Sequence, residues 1–170
     1  AKMDFEKAKR DGAKAGLADT IKDCKAASKT LAECEAEGEA VFAESMGLTK
    51  GTANEALEFN AKYQRFKKDA AASAAVKKNS ACKKEAGADA ADCATLAKKE
   101  AAKALGGEDY DTIQSDPAKK AAFDAEFDRM TKEAGAKELA EAMRTNKDQP
   151  KEVRDAAALD IYKKSQTKTY

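Results

Sequence analysis

The chain has 170 residues, and its 32 basic and 31 acidic side chains leave a formal net charge of only +1. Such balance excludes the broad basic face of a nucleic-acid binder, and no apolar run approaches the roughly 20 residues that cross a bilayer. Forty alanines stand beside twenty Leu, Ile, Val and Phe; strong helix formers, two prolines and cancelling charges predict an all-α protein with a thin core rather than an unfolded one.

The chain opens Ala1-Lys2-Met3, without Met at position 1, as a mature form cut from a targeting segment or a trimmed chain would. A first long helix is predicted near 4–28, ending at Ser28-Lys29. Thr30 and Glu33 then form a capping-box pattern that opens a helix near 30–46, and Gly47 closes it. Thr52 opens a long helix near 52–86, in which Phe59, Tyr63 and Phe66 share one face at spacings of four and three. Gly87 is a stop and Asp89 an N-cap, so the next helix runs near 89–105 and ends at Gly106. Segment 106–116, GGEDYDTIQSD, reads as the longest loop and as a solvated turn. Asp116-Pro117 opens a helix near 117–145 that carries Phe123, Phe127 and Met130. Gln149-Pro150 opens the last, near 150–165, with Leu159, Ile161 and Tyr162 as apolar anchors.

These elements suggest an internal repeat of about sixty residues. Cys34 and Cys93 both fall four residues after an N-cap, and Gly47 and Gly106 both fall thirteen residues after the cysteine. A degenerate third copy puts Val153 in the cysteine position. The expected fold is therefore a single all-α domain over 1–170. It has about six helices in two to three helix-pair repeats, approximately 1–47, 52–106 and 116–166, alanine-rich and stapled by disulfides.

Four cysteines without histidine fit neither the short knuckles of a zinc site nor a c-type haem motif. Four cysteines allow three pairings. A break inside each pair places Cys24 and Cys34, and likewise Cys82 and Cys93, about one turn from a bend. Local staples would then each contribute on the order of 2–3 kcal/mol. Buried free thiols are the plain alternative. The C-x9-C and C-x10-C spacings on helices also resemble the twin-cysteine helical hairpins of the mitochondrial intermembrane space. That resemblance implies cross-pairing between the two cysteine pairs. The sequence departs from that family in the long separation of the pairs and in the helix breaks inside each. Disulfides would place the chain in an oxidising compartment: an organelle lumen such as the thylakoid lumen, the intermembrane space, or outside the cell.

No catalytic equipment is legible. Histidine is missing, and no nucleophile elbow, phosphate loop or dinucleotide fingerprint occurs. Carboxylate pairs such as Glu35/Glu39 and Asp124/Asp128 read as solvated charges or partners of lysines one turn away. Asp109, Asp111 and Asp116 lack the glycine and glutamate of a calcium loop. An enzyme is not expected, nor a metal or other cofactor. The aromatic residues Phe5, Phe42, Phe59, Tyr63, Phe66, Phe123, Phe127 and Tyr162 build the core or, for Phe59, Tyr63, Phe66, Phe123 and Phe127 in particular, a surface on which a partner docks.

Three functional readings remain. The first is a structural or scaffold subunit whose partners are proteins of a larger assembly, for instance on the lumenal side of a photosynthetic or respiratory membrane complex, with no transmembrane segment of its own. The second is a carrier of a small apolar ligand or pigment. The third is a stress-protective chain resembling late-embryogenesis proteins, suggested by segments such as Ala97-KKEAAKALGG.

Overall fold

The computed structural model describes residues 2–49, 51, 53–145 and 147–166. Among them are seven helices and no strand: α1 (Lys2–Ala26), α2 (Leu31–Met46), α3 (Ala53–Lys83), α4 (Ala90–Leu105), α5 (Tyr110–Gln114), α6 (Pro117–Thr145) and α7 (Lys151–Gln166). Thr52, expected to open the third helix, lies outside the described residues. The helix termini follow local chemistry. Thr30 accepts from the Glu33 N–H while the Glu33 carboxylate accepts from the Thr30 N–H, a complete capping box. Asp89 accepts from the Ala91 and Asp92 N–H groups at the start of α4. Gly47 ends α2 at φ 63°, and the Leu48 N–H donates to the Ala43 carbonyl at 2.9 Å. This closure needs a left-handed residue, which glycine supplies at little cost. Ser28 takes the same region at φ 59° where α1 stops.

Helices α1 to α4 each bury one stripe. On α2 it is Cys34, Gly38 and Phe42, at intervals of four. On α1 it is Leu17, Ala18, Ile21 and Cys24. The stripe of α3 is the longest, running Phe59, Tyr63, Lys67, Ala70, Ala71, Ala75, Asn79 and Cys82 at steps of mostly three or four. Helix α3 is the spine: α1, α4 and α6 all pack on it, while α2 packs on α1 and α7 on α6. Most of the buried positions of α3 and α4 are alanine, including Ala97, Ala101 and Ala104. Small side chains let helix axes approach closely, so the core is held by contact area more than by bulk. Large side chains collect in two places. Phe42 packs against Phe59, Tyr63 and Phe66 with ring centroids 5.1–5.8 Å apart. Phe127, Phe123 and Tyr110 form a second row at 6.3 and 5.2 Å.

Three expectations need correction. Segment 106–116 is not simply a solvated turn: it contains α5, whose Tyr110 and Ile113 are buried against Ala102 and Phe123. An apolar pair one turn apart gives even a five-residue helix a face to bury. Phe5 is not core; it is 68% exposed on the first turns of α1. The anchors assigned to the last helix are weak. Val153 and Leu159 are exposed, Ile161 is half-buried, and the side chain of Tyr162 lies outside the described residues. Helix pair α6–α7 therefore lacks the clamp, and its buried anchors, Phe127 and Met130, all come from α6.

Ion pairs tie the helices where apolar area is short. Lys22 of α1 meets Glu100 of α4 at 2.7 Å, Lys137 of α6 meets Asp69 of α3 at 2.7 Å, and Lys68 of α3 meets Glu126 of α6 at 2.9 Å. The Glu126 carboxyl sits below its ordinary value of 4.5 because Arg129 hydrogen-bonds it; partial burial opposes this and Lys68 adds to it. A carboxylate with a lowered folded-state pKa stabilises the fold above its unfolded value, and that contribution disappears as pH falls through the folded value. Glu126→Gln is therefore expected to lower the melting temperature near neutral pH and to flatten its decline below about pH 4.5. Melting curves across that interval check it, and an unchanged acid limb would remove the assignment.

Candidate functional site

Two features stand out above the helical scaffold: the disulfide clamps and a polar cleft. Cys24 is joined to Cys34 and Cys82 to Cys93, each with a Cα–Cα separation of 5.5 Å. The pairing is local. It corrects both the cross-pairing implied by the twin-cysteine resemblance and the alternative of buried free thiols. All four cysteines are less than a tenth exposed, so a solution thiol has poor access to the sulfurs and the bonds have the setting of structural staples. Lys22 reaches Glu100, and Lys25 pairs with Asp109 at 2.9 Å and donates to the Gly107 carbonyl. The C-terminal ends of α1 and α4 are thus neighbours, while Cys93 sits near the other end of α4. The two clamps stand at opposite ends of the bundle, on the order of 20 Å apart at 1.5 Å of rise per residue.

The aromatic residues singled out from sequence lie inside. Phe59, Tyr63 and Phe127 are buried, and Phe66 and Phe123 are half-buried against the same core. They do not form an open docking face. The Tyr63 hydroxyl makes no hydrogen bond of standard geometry, and burial first, then the Glu35 charge and its proximity to the hydroxyl, push its pKa well above the ordinary phenol value. Beside it the Lys67 ammonium lies over the Tyr63 ring at 5.6 Å and pairs with Glu35, which also accepts from Gln64 at 3.3 Å. Glu35 is therefore part of a network between α2 and α3 rather than a solvated charge. Asp124 behaves alike, accepting from Tyr110 at 3.2 Å and pairing with Lys98 at 2.9 Å and Lys120 at 2.7 Å. Burial raises its pKa, but the lysine hydrogen bonds outweigh that and leave it below the ordinary value. Asp128 keeps the role expected of it, pairing with Lys132 one turn on. Asp109, Asp111 and Asp116 are engaged separately: by Lys25, by Lys99 at 2.9 Å, and as the cap over the Ala118 and Lys119 N–H groups. Among the described residues no three His, Cys, Asp or Glu side chains come together as a metal would require.

The cleft lies over α3 between α1 and α6 and has a volume of about 560 Å³. The ion pair of Arg10 with Glu141 spans α1 and α6. Charged and hydroxyl-bearing residues line it on all three helices, with Val76, Ala134 and the aliphatic stems of the lysines supplying the apolar part of its surface. Asn79 sits in it at 3% exposure, and its Oδ1 has no hydrogen-bond partner. A buried acceptor left unpaired costs about 1–3 kcal/mol. Sequence reasoning missed Asn79. The available signal was register: extending the 59-63-66 face of α3 in steps of three and four reaches 79 and 82, which places a carboxamide where the pattern asks for an apolar residue.

No family model matches the chain, and neither does any curated protein or solved structure.

Proposed function

We propose that this protein is a non-enzymatic docking subunit: a rigid, clamped helical body that binds protein partners in a larger assembly within an oxidising compartment. One observation carries the reading. The chain has twenty Leu, Ile, Val and Phe, yet Phe5, Leu31, Leu57, Leu96, Val153 and Leu159 are exposed while alanine fills the core. Large apolar side chains are this protein's scarcest means of stabilisation, and leaving them in water has no benefit to the isolated fold. Leu57, at 72%, and Phe5, at 68%, are the most exposed.

The paired cysteines and the lack, among the described residues, of any helix able to cross a membrane are consistent with an oxidising or extracellular setting. Within that range we place it on the lumenal side of a photosynthetic or respiratory membrane complex, reached through protein contacts. The apolar-carrier reading finds little support, because α1, α3 and α6 each bring charged side chains to the wall of the described cleft. A late-embryogenesis-like chain is coil in dilute water, which is at odds with a helical body clamped twice.

Native electrophoresis of detergent-solubilised membranes from the source cells tests the reading. The expected result is co-migration with a large complex, lost for Leu57→Glu and Phe5→Glu variants whose circular dichroism is unchanged. Migration at monomer size throughout would overturn it.

A further inference from the structure

We propose that the cleft between α1, α3 and α6 binds a small hydroxylated anion of sugar-phosphate size. In this site Asn79 accepts from a ligand hydroxyl, while Lys14, Lys77 and Lys84 hold the charge. The inference stands apart from the docking role, since it concerns a different surface and a different class of ligand.

The first argument is register. Between Tyr63 and Cys82 the buried stripe of α3 is alanine, except for Lys67, which has Glu35 as its partner, and Asn79, which has none. Alanine at position 79 would satisfy the packing. A carboxamide there leaves an acceptor unmet, and the large majority of buried side-chain acceptors in native proteins have a donor. The cleft lined by Asn79 is where such a donor would enter.

The second argument is the charge balance of the walls. Asp69 is held by Lys137, Asp11 pairs with Lys7 at 3.8 Å, and Glu141 is held by Arg10. Glu138 and Lys83 are engaged as well. Lys14, Lys77 and Lys84 also line the cleft, and among the described residues no carboxylate pairs with them, so the unpaired charge facing the cleft is positive. The third argument is the remaining chemistry. Ser73 and Ser80 line the cleft, and the Thr131 hydroxyl donates to the Phe127 carbonyl at 3.0 Å, which leaves its lone pairs to accept. Hydroxyl groups, an amide and unpaired ammonium groups match a polyol carrying an anion. A volume of about 560 Å³ lies inside the usual range of roughly 300–1,000 Å³ for small-molecule sites.

Calorimetric titration of the oxidised full chain with glucose 6-phosphate, followed in parallel by amide NMR, tests the proposal. The expected result is saturable binding of one equivalent with a Kd below about 1 mM, and shifts concentrated over residues 73–84. Glucose and inorganic phosphate, titrated separately, should each bind at least about tenfold more weakly. Asn79→Ala should weaken binding about fivefold or more with an unchanged or raised melting temperature. Lys77→Ala changes an exposed side chain that the fold does not need, and should weaken binding and reduce its salt dependence. No saturable binding, equal affinity for inorganic phosphate, or unaltered affinity in both variants would overturn the proposal.

Discussion

Replacing all four cysteines with alanine is expected to leave a chain that has lost most of its helix at about 37 °C. The pairs close loops with sequence separations of 10 and 11 residues. Loop-closure entropy assigns about 3 kcal/mol to each at that length, hence about 6 kcal/mol for both. Net stabilities of single domains are only ~5–15 kcal/mol, and a core built largely of alanine places this protein toward the lower end. Alanine is the better replacement because all four sites are buried, and serine would add an unpaired hydroxyl to the effect being measured. Each pair removed singly should lower stability by about 2–3 kcal/mol in urea titrations followed by circular dichroism. A combined loss under about 1 kcal/mol would show that the helix faces hold the bundle without the clamps.

The second large effect is at Gly38, the close-contact point between α2 and α3. A Cβ there would collide with the Tyr63 hydroxyl, and would stand 3.3 Å from its Cζ and 3.2 Å from Leu17 Cδ1. Tyr63 is fully buried and cannot swing aside. Overpacking of this kind costs about 1–3 kcal/mol, while alanine gains about 1 kcal/mol over glycine in helix propensity. Gly38→Ala should therefore destabilise by up to about 2 kcal/mol. Tyr63→Phe removes a hydroxyl that makes no hydrogen bond of standard geometry and should be neutral or stabilising by about 1 kcal/mol. With the hydroxyl gone, most of the obstruction to a Cβ at 38 goes too. The double variant should recover the loss, with a coupling above about 1 kcal/mol across the four-protein cycle. Additive effects would mean that the hydroxyl is not what excludes a side chain at 38.

Much of the fold was legible because it is written in local chemistry. Thr30, Asp89, Gly47 and Gly106 end their helices through contacts within four or five residues, so their roles survive without knowledge of the tertiary structure. The local pairing of the cysteines follows from the same breaks. Other features depend on what lies across an interface, which one helix's sequence does not state. Phe5 and Phe42 are the same residue type, each on a helix with charged neighbours, yet one is solvent-facing and the other central, because Phe42 has the α3 rings opposite it. Tyr110 and Ile113 looked like loop residues among acids and glycines. They are buried because α4 and α6 leave a slot that a single turn of helix can fill. The caps and clamps of α2 and α4 share one offset, from Thr30 to Asp89, Cys34 to Cys93 and Gly47 to Gly106. At α7 the matching positions carry neither clamp nor core, so equivalence there rests on spacing alone. Asn79 is the opposite case: its register on the buried face of α3 is readable, but a carboxamide carries no mark in the sequence that separates a buried acceptor from a solvated one.

The locality of the two clamps also bears on how the chain is made. Each bond joins residues that leave a ribosome or a translocation pore within about two seconds of each other at about 5–20 residues per second. Every segment needed for the α1–α2 hairpin is present before α3 has emerged, and Cys24 and Cys34 can be oxidised while Cys82 is still absent. Order of appearance thus selects the native pairing from the three combinations, without a later search among them. Assembly then consists of stacking pre-closed hairpins on α3, with short sequence separations and few distant pairings to wait for.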